Sequence, residues 1–385
     1  MIDPLALYIH WPFCKSKCPY CDFNSHVSAH IDVLRWENAY RKSIGYWGSI
    51  LPRRTITSIF FGGGTPSLMP PDLVGKILAM VRETWHVLPE CEITLEANPT
   101  SSENKSFEAF SASGVNRVSV GIQSLRAERL QFLGREHSSA EALQALSYAR
   151  RHFHRYSFDL IYAQPNQSIE NWEEELTEAM MHANGHVSLY QLTIEEKTAF
   201  FTKHQRGDFI MPSDDVAAKL YACTGRIMAA HGYKSYEISN YAKPGHESRH
   251  NLTYWKYKDY LGIGPGAHSR IQRDSNKYEV YMCKAPDVWL RAVEGHGSGV
   301  KTESVITSET AFNECILMGL RLQEGLSVTY LASLSQQLCE RLFAHLKNHW
   351  LLEDGYLEHR NQFLRIPEKY RIVTNRITRY VCELL

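Results

Sequence analysis

Three cysteines stand within eight residues of one another: Cys14-Lys15-Ser16-Lys17-Cys18-Pro19-Tyr20-Cys21. Three thiolates so close can wrap one small inorganic centre. Three thiolates leave one iron of a [4Fe–4S] cube without a protein ligand, whereas electron-transfer clusters use four cysteines. An open iron is a docking point for a small chelating ligand. Zinc is the competing occupant of this spacing, with His10 or His26 as a fourth ligand. Trp11, Phe13, Tyr20 and Phe23 flank the ligands and are expected to keep water from the centre. Cys91, Cys223, Cys283, Cys315, Cys339 and Cys382 are scattered and read as ordinary thiols.

The elements that must position this loop follow from hydrophobic periodicity. Short β-branched and aromatic runs at Leu5–His10, Ile56–Phe61, Glu92–Glu96, Arg117–Gly121, Tyr156–Ile161 and Val187–Thr193 read as strands. Helical patterns fall between them, as at Pro71–Val87, Ser138–His152 and Ile169–His182. Alternating β and α units imply a parallel sheet, either doubly wound or a partial (β/α)6 barrel. In both, chemistry belongs at the C-terminal ends of the strands. A further helix at Asp214–His231 and a strand at Tyr233–Ile238 follow. Then comes a Gly-, Pro- and aromatic-rich stretch, with Gly295–Gly299 reading as a linker. Beyond Thr307, helices at Ser308–Leu322 and Gln336–Asn348 precede a small hairpin (Tyr356–His359, Phe363–Ile366), the order of a winged helix. The expected divisions are 1–235, 236–300 and 301–385.

Composition excludes some classes. Lys plus Arg and Asp plus Glu both total 42, so no global field favours nucleic acid or an anionic membrane. The first residues lack a basic, apolar leader, and no apolar run is long enough to span a bilayer. The expectation is a cytoplasmic protein, not an integral membrane protein, with no nucleic-acid partner.

Further motifs sit at the predicted strand ends. Phe61-Gly62-Gly63-Gly64-Thr65-Pro66-Ser67 ends the second strand, Glu96-Ala97-Asn98-Pro99 the third, and Ser119-Val120-Gly121-Ile122-Gln123-Ser124 the fourth. Leu133-Gly134-Arg135 follows, then Asp159-Leu160-Ile161-Tyr162. Together with Cys-x3-Cys-x2-Cys, this ordered series resembles the radical S-adenosylmethionine (SAM) superfamily. It is similar to the branch containing the anaerobic coproporphyrinogen oxidases and the HemW-type heme chaperones. The resemblance covers nearly the whole chain. It implies a partial (β/α)6 barrel followed by a smaller winged-helix-like domain, a [4Fe–4S] cluster on Cys14, Cys18 and Cys21, and bound SAM.

The same resemblance gives roles. Gly63, Gly64 and Thr65 would meet the methionine end of SAM through their amides, and Glu96 its ammonium. Gln123, Arg135 and Asp159 match positions contacting its carboxylate or ribose, and Tyr8 and Tyr20 match aromatics beside the ligand. Where the oxidases carry a further cysteine two residues after the third ligand, this chain has Phe23, and the oxidases' longer N-terminal segment is missing. Tyr236–Gly245, His250-Asn251-Leu252-Thr253-Tyr254-Trp255 and Gly262–His268 look like HemW hallmarks. They imply heme as cargo and an acceptor protein, with a membrane-associated acceptor among the options. His250 is the expected axial ligand, with Tyr254 or Trp255 stacked on the porphyrin; a histidine knitting a loop to the barrel is the structural reading. His10, His268 and Cys283 are lesser ligand candidates. The resemblance favours binding and transfer over catalysis, with SAM cleavage as additional chemistry. The alternative is an oxygen-independent coproporphyrinogen III oxidase. At Ala163-Gln164-Pro165-Asn166 the chain departs from the family's Gly-Leu-Pro-Gly.

Overall fold

In a computed structural model, residues 4–28, 30–100 and 106–385 are described. Met1–Asp3, the start of the segment read for a leader, lie outside them. The scaffold is six parallel strands in sequence order: β1 (Pro4–Trp11), β2 (Thr55–Gly63), β3 (His86–Ala97), β4 (Arg117–Gln123), β5 (Arg155–Tyr162) and β6 (Gly185–Gln191). Sequential order excludes the doubly wound alternative, in which strand order reverses at a switch point. The helices following these strands include Val33–Ile50, Pro71–Thr84, Ser139–His152, Ile169–Met180 and Asp214–Ala230. Their starts are encoded locally. Ser138 and Glu141 form a reciprocal capping box, and Ser168 accepts from the Asn171 amide, satisfying donors that a first helical turn leaves free.

Strand alternation sorts the side chains. On one face Ile59, Phe61, Ile93, Leu95, Val118, Val120, Phe158 and Leu160 are buried in the main hydrophobic core. The opposite face carries Ser58, Glu92, Thr94, Arg117, Ser119, Ser157, His186 and Ser188, buried as well. A buried polar face must be satisfied by partners across the concavity. Arg117, for example, donates to Thr94 Oγ1 at 3.3 Å and Ser157 Oγ at 2.8 Å.

Three expectations change. The helix expected to reach Val87 ends at Thr84, and β3 begins at His86; Pro89 disfavours helical backbone just before it. The strand expected over Tyr233–Ile238 shrinks to Lys234–Ser235. The expected linker is no linker. Gly297 caps the Pro286–His296 helix in left-handed backbone (φ 75°), and Val300–Val305 is a strand. With Tyr260–Ile263, His268–Arg273 and Asn276–Met282 it extends the sheet beyond β1. The Tyr260–Ile263 strand is parallel to β1 and the rest are antiparallel.

A second core gathers Phe312, Ile316, Leu331, Leu342, Leu346, Leu364 and Ile377. Here the helices Ser308–Gly319, Val328–Leu334 and Gln336–Leu346 pack on a three-stranded sheet whose hairpin is Glu358–Arg360 and Phe363–Arg365, a winged-helix arrangement. Arg270 clamps Glu314 at 2.7 Å, tying this module to the sheet extension. Among the described residues, no helix is long and apolar enough to cross a membrane.

Candidate functional site

The cysteine loop leaves β1 and is pinned at both ends. Phe13 and Cys14 pair in parallel with His26 and Val27. Within the loop, the Cys21 amide donates to the Cys18 carbonyl at 3.1 Å. Asn24 anchors the returning strand by donating to the Pro265 and Lys284 carbonyls at 3.0 and 2.9 Å. All three cysteines are half-buried and carry free thiols. Burial pushes the Cys14 and Cys21 thiols up.

Glycine allows the second strand end to approach. A Cβ on Gly64 would lie 2.6 Å from the Phe13 carbonyl oxygen, and one on Gly63 would lie 2.6 Å from the His10 ring. Gly63 also has φ 117°, which L side chains rarely adopt. The Gly64 and Thr65 amides donate to the Trp11 and Phe13 carbonyls at 2.7 and 2.8 Å. These two amides therefore hold the cysteine loop, whereas the sequence led to the expectation that they would meet a ligand carboxylate.

A chain of hydrogen bonds joins two thiols through three strand-end motifs. Thr65 Oγ1 donates to Cys14 Sγ at 3.3 Å and accepts from Asn98 Nδ2 at 3.1 Å. Asn98 Oδ1 accepts from Arg135 Nη2 at 2.6 Å, and Arg135 Nη1 reaches Cys18 Sγ at 3.5 Å. Gly134 permits that reach: a Cβ there would lie 2.6 Å from Pro19. Hydrogen bonds and a guanidinium beside sulfur favour thiolate and tune whatever it binds. Among the described residues, no three His, Cys, Asp or Glu side chains gather tightly enough to hold a single metal ion. Three half-buried thiols on one loop are a donor set that suits a [4Fe–4S] cluster with one iron left open.

Beside the cysteines opens a cavity of about 650 Å³, within the size range of small-molecule sites. Cys14, Cys18, Cys21, Tyr20, Gly64 and Thr65 line one side. Glu96, Gln123, Arg135 and Asp159 line the floor. Burial and then repulsion from Asp159 push the Glu96 carboxyl up to about 8. Burial pushes Asp159 up to about 6, opposed by Ser188, Arg117 and Ser119. Two buried carboxyls suit a ligand bearing a cation and hydroxyls. Arg135 Nε is buried with no partner among the described residues, a donor suited to a carboxylate. The site thus fits SAM as well as a cluster.

Other expected residues lie elsewhere. Tyr8 is not in the wall; its hydroxyl is 3.2 Å from His10 Nδ1 inside the barrel. Gly63 does not line the cavity, and its backbone hydrogen-bonds to Glu96. Phe23 lines the cavity but is 59 % exposed, so it does not shield the thiols.

His250 sits deep in the barrel and does not line the cavity. Ser248 caps the Arg249–Trp255 helix, and Glu92 accepts from the His250 amide at 3.2 Å. Arg155 bridges Glu92 at 2.8 Å and donates to the His246 and Glu247 carbonyls. His250 Nδ1 is 3.1 Å from Ser58 Oγ, and its ring packs on Phe60 and Tyr8. Burial lowers its pKa to about 4. This is the geometry of a core histidine, the structural reading of the sequence. Tyr254 packs behind it, and Trp255 lies under Arg321, whose guanidinium carbon is 4.8 Å from the ring centroid. Of the lesser candidates, His10 is buried and His268 rests on Tyr281.

Sequence reasoning missed the far wall. Arg321, Arg371, Thr374 and Asn375, all from the winged-helix module, line the same cavity, as do Tyr190 and Tyr221. No motif marks them.

The comparisons with known proteins agree with this architecture. Residues 8–179 match the radical SAM superfamily model, and residues 306–371 match the HemN C-terminal domain. The heme chaperone HemW of Mycobacterium tuberculosis is 31% identical over 381 residues, 98% of this chain and 94% of that protein. The chain belongs to the HemW family of radical SAM proteins. HemW of Escherichia coli K12 is 39% identical over 276 residues, 70% of this chain and 71% of that protein. The mitochondrial radical S-adenosyl methionine domain-containing protein 1 of Danio rerio is 36% identical over 331 residues, 84% of this chain and 74% of that protein. The solved coproporphyrinogen III oxidase HemN of Escherichia coli superimposes with a TM-score of 0.81 at 21% identity, covering 100% of this chain and 90% of that one. That likeness establishes the shared fold. The family explains one backbone oddity. Ala163 and Asn166, which replace the glycines of Gly-Leu-Pro-Gly, both have φ 57°, the conformation glycine adopts without cost.

Proposed function

We propose that this protein binds heme and transfers it to an acceptor protein, on a scaffold that holds a [4Fe–4S] cluster and SAM. The observation that carries the reading is the cavity that joins the three-thiol loop to the strand-end motifs of a HemW-family chain. Cys14, Cys18 and Cys21 would hold the cluster, with Thr65 and Arg135 hydrogen-bonding to its sulfur ligands. Glu96, Gln123, Arg135, Asp159 and Tyr20 would hold SAM. A cluster held by three thiolates supplies an open iron and one electron to a bound sulfonium. Glu96 and Asp159 supply the counter-charge, and burial of the floor excludes water.

Phe23 supports heme transfer over porphyrinogen oxidation, because the oxidases carry a cysteine there. The acceptor is a protein, and the working compartment under this reading is the cytoplasm, where thiols stay reduced. The test is anaerobic reconstitution followed by two assays on one preparation. Heme titration is expected to give a Soret band at about one heme per chain, and heme-loaded protein to pass it to an apo-hemoprotein. Coproporphyrinogen III with SAM and reductant is expected to remain unconverted by mass spectrometry. No heme binding, or robust SAM-dependent conversion, would sink the reading.

A further inference from the structure

The cavity has two chemically different walls, and only the one carrying the cysteines belongs to the barrel motifs. The opposite wall comes from the winged-helix module. Arg371 is 2 % exposed, yet it lines the cavity. Its Nη2 donates to the Arg321 carbonyl at 2.7 Å and the Tyr221 hydroxyl lies against the guanidinium, while Nε and Nη1 are buried and make no hydrogen bond of good geometry among the described residues. Arg321 lines the cavity too, and its buried Nε has no partner either. One Arg321 Nη reaches Asn375 Oδ1 at 3.3 Å, and the other is 4.0 Å from Glu237. Glu237 already accepts from the Ser239 amide and the Asn240 side chain.

Among the described residues Arg371 has no carboxylate in salt-bridge range, and Arg321 has only the committed Glu237 at 4.0 Å. Buried cations keep their place when they are paired, and an unpaired buried donor costs about 1–3 kcal/mol. Guanidinium forks fit carboxylates in particular. Apolar side chains also line the cavity. Ile372 is 44 % exposed on the module and Phe23 is exposed on the cysteine loop, and both line the cavity. A ligand with an apolar body and a carboxylate tail matches that order of surfaces.

We propose that Arg321 and Arg371 form a carboxylate subsite through which the winged-helix module recognises the cavity's ligand. This rests on the heme-binding reading for its cargo: the carboxylate is a heme propionate, and the other source of the same chemistry is the SAM carboxylate. The subsite makes the module a reader of ligand charge, with Asn375 as an exposed neighbour that accepts from Arg321.

The test uses full-length, cluster-loaded protein with three probes: heme, heme dimethyl ester and SAM. The ester keeps ring and iron but carries no carboxylate. The wild type is expected to bind heme about tenfold or more tighter than the ester, the size of one charge-assisted interaction. Arg371→Gln is expected to erase that preference without changing iron content. Asn375→Asp, a surface change that folds independently of the buried guanidinium, is expected to weaken heme binding severalfold and leave the ester unaffected. If the preference persists but Arg371→Gln lowers SAM affinity about tenfold, the carboxylate subsite stands and its ligand is SAM. Equal binding of heme and ester by the wild type, with SAM affinity unchanged in both variants, overturns the subsite. Absence of heme binding in the wild type overturns the heme-transfer reading instead, and the SAM arm still decides the subsite.

Discussion

The cysteine loop and the Arg249–Trp255 helix attach to the same barrel through opposite kinds of contact. The loop is held from behind. Its backbone carbonyls accept from the Gly64 and Thr65 amides and its Asn24 side chain donates to the Pro265 carbonyl, while its thiols face an open cavity. The helix is held by its chemistry: the His250 ring and amide are both hydrogen-bonded inside the barrel. A group whose backbone is satisfied and whose side chain is free can take a ligand; one whose side chain is satisfied in the core supplies stability. Two motifs of equal prominence in the sequence therefore have different work.

Changes on each side of that comparison sharpen it. The largest effect is expected at the thiols. Replacing Cys14, Cys18 or Cys21 by Ala should abolish the roughly four irons and four sulfides per chain expected after anaerobic reconstitution, while Cys223→Ala, in a buried cysteine of the outer core, should keep them. One zinc per chain without labile sulfide would reverse the assignment of the loop.

His250→Ala should cost about 3 kcal/mol in denaturant unfolding, since it leaves a cavity and strands Ser58. It should leave the Soret position of bound heme unchanged. A shifted band with unaltered stability would break the comparison, making His250 a ligand.

The floor of the cavity should show its strain through pH. Glu96 ionises near 8 in the folded protein against 4.5 in an unfolded chain. A raised carboxyl binds its proton more tightly in the native state, so its stability is full below about 4.5 and falls as pH rises through 8. Without ligand, the wild type should lose about 3.5 kcal/mol between pH 5 and 8 that Glu96→Gln does not lose. Parallel pH profiles for the two would show that Glu96 is not desolvated.

The smallest effect belongs to the loop after β5. Ala163→Gly should relieve left-handed backbone but lose a buried methyl, leaving stability within about 0.5 kcal/mol of wild type. Ala163→Val should be clearly worse, because a β-branched residue resists positive φ. Equal tolerance of both would mean the backbone at 163 is not left-handed.

Sequence alone determined much of the barrel. Short β-branched and aromatic runs marked all six strands, and the cysteine, glycine and carboxylate motifs all fell at their C-terminal ends, as parallel β/α order requires. Those features are local, since a strand and the turn after it are written in adjacent residues. The Val300–Val305 strand escaped because its sequence, Val-Lys-Thr-Glu-Ser-Val, is polar and follows glycines; it is a strand because Asn276–Met282 pairs with it. The place of His250 was also undecidable locally. A histidine on a short capped helix reads the same whether its ring meets solvent or Ser58, which lies 192 positions away. The far wall is the clearest case. Arg321 and Arg371 become neighbours of Cys14 and Glu96 only when a second hydrophobic core folds and docks over the barrel mouth. Motif spacing encodes which atoms can bind a ligand; the packing of distant cores decides which of them face it.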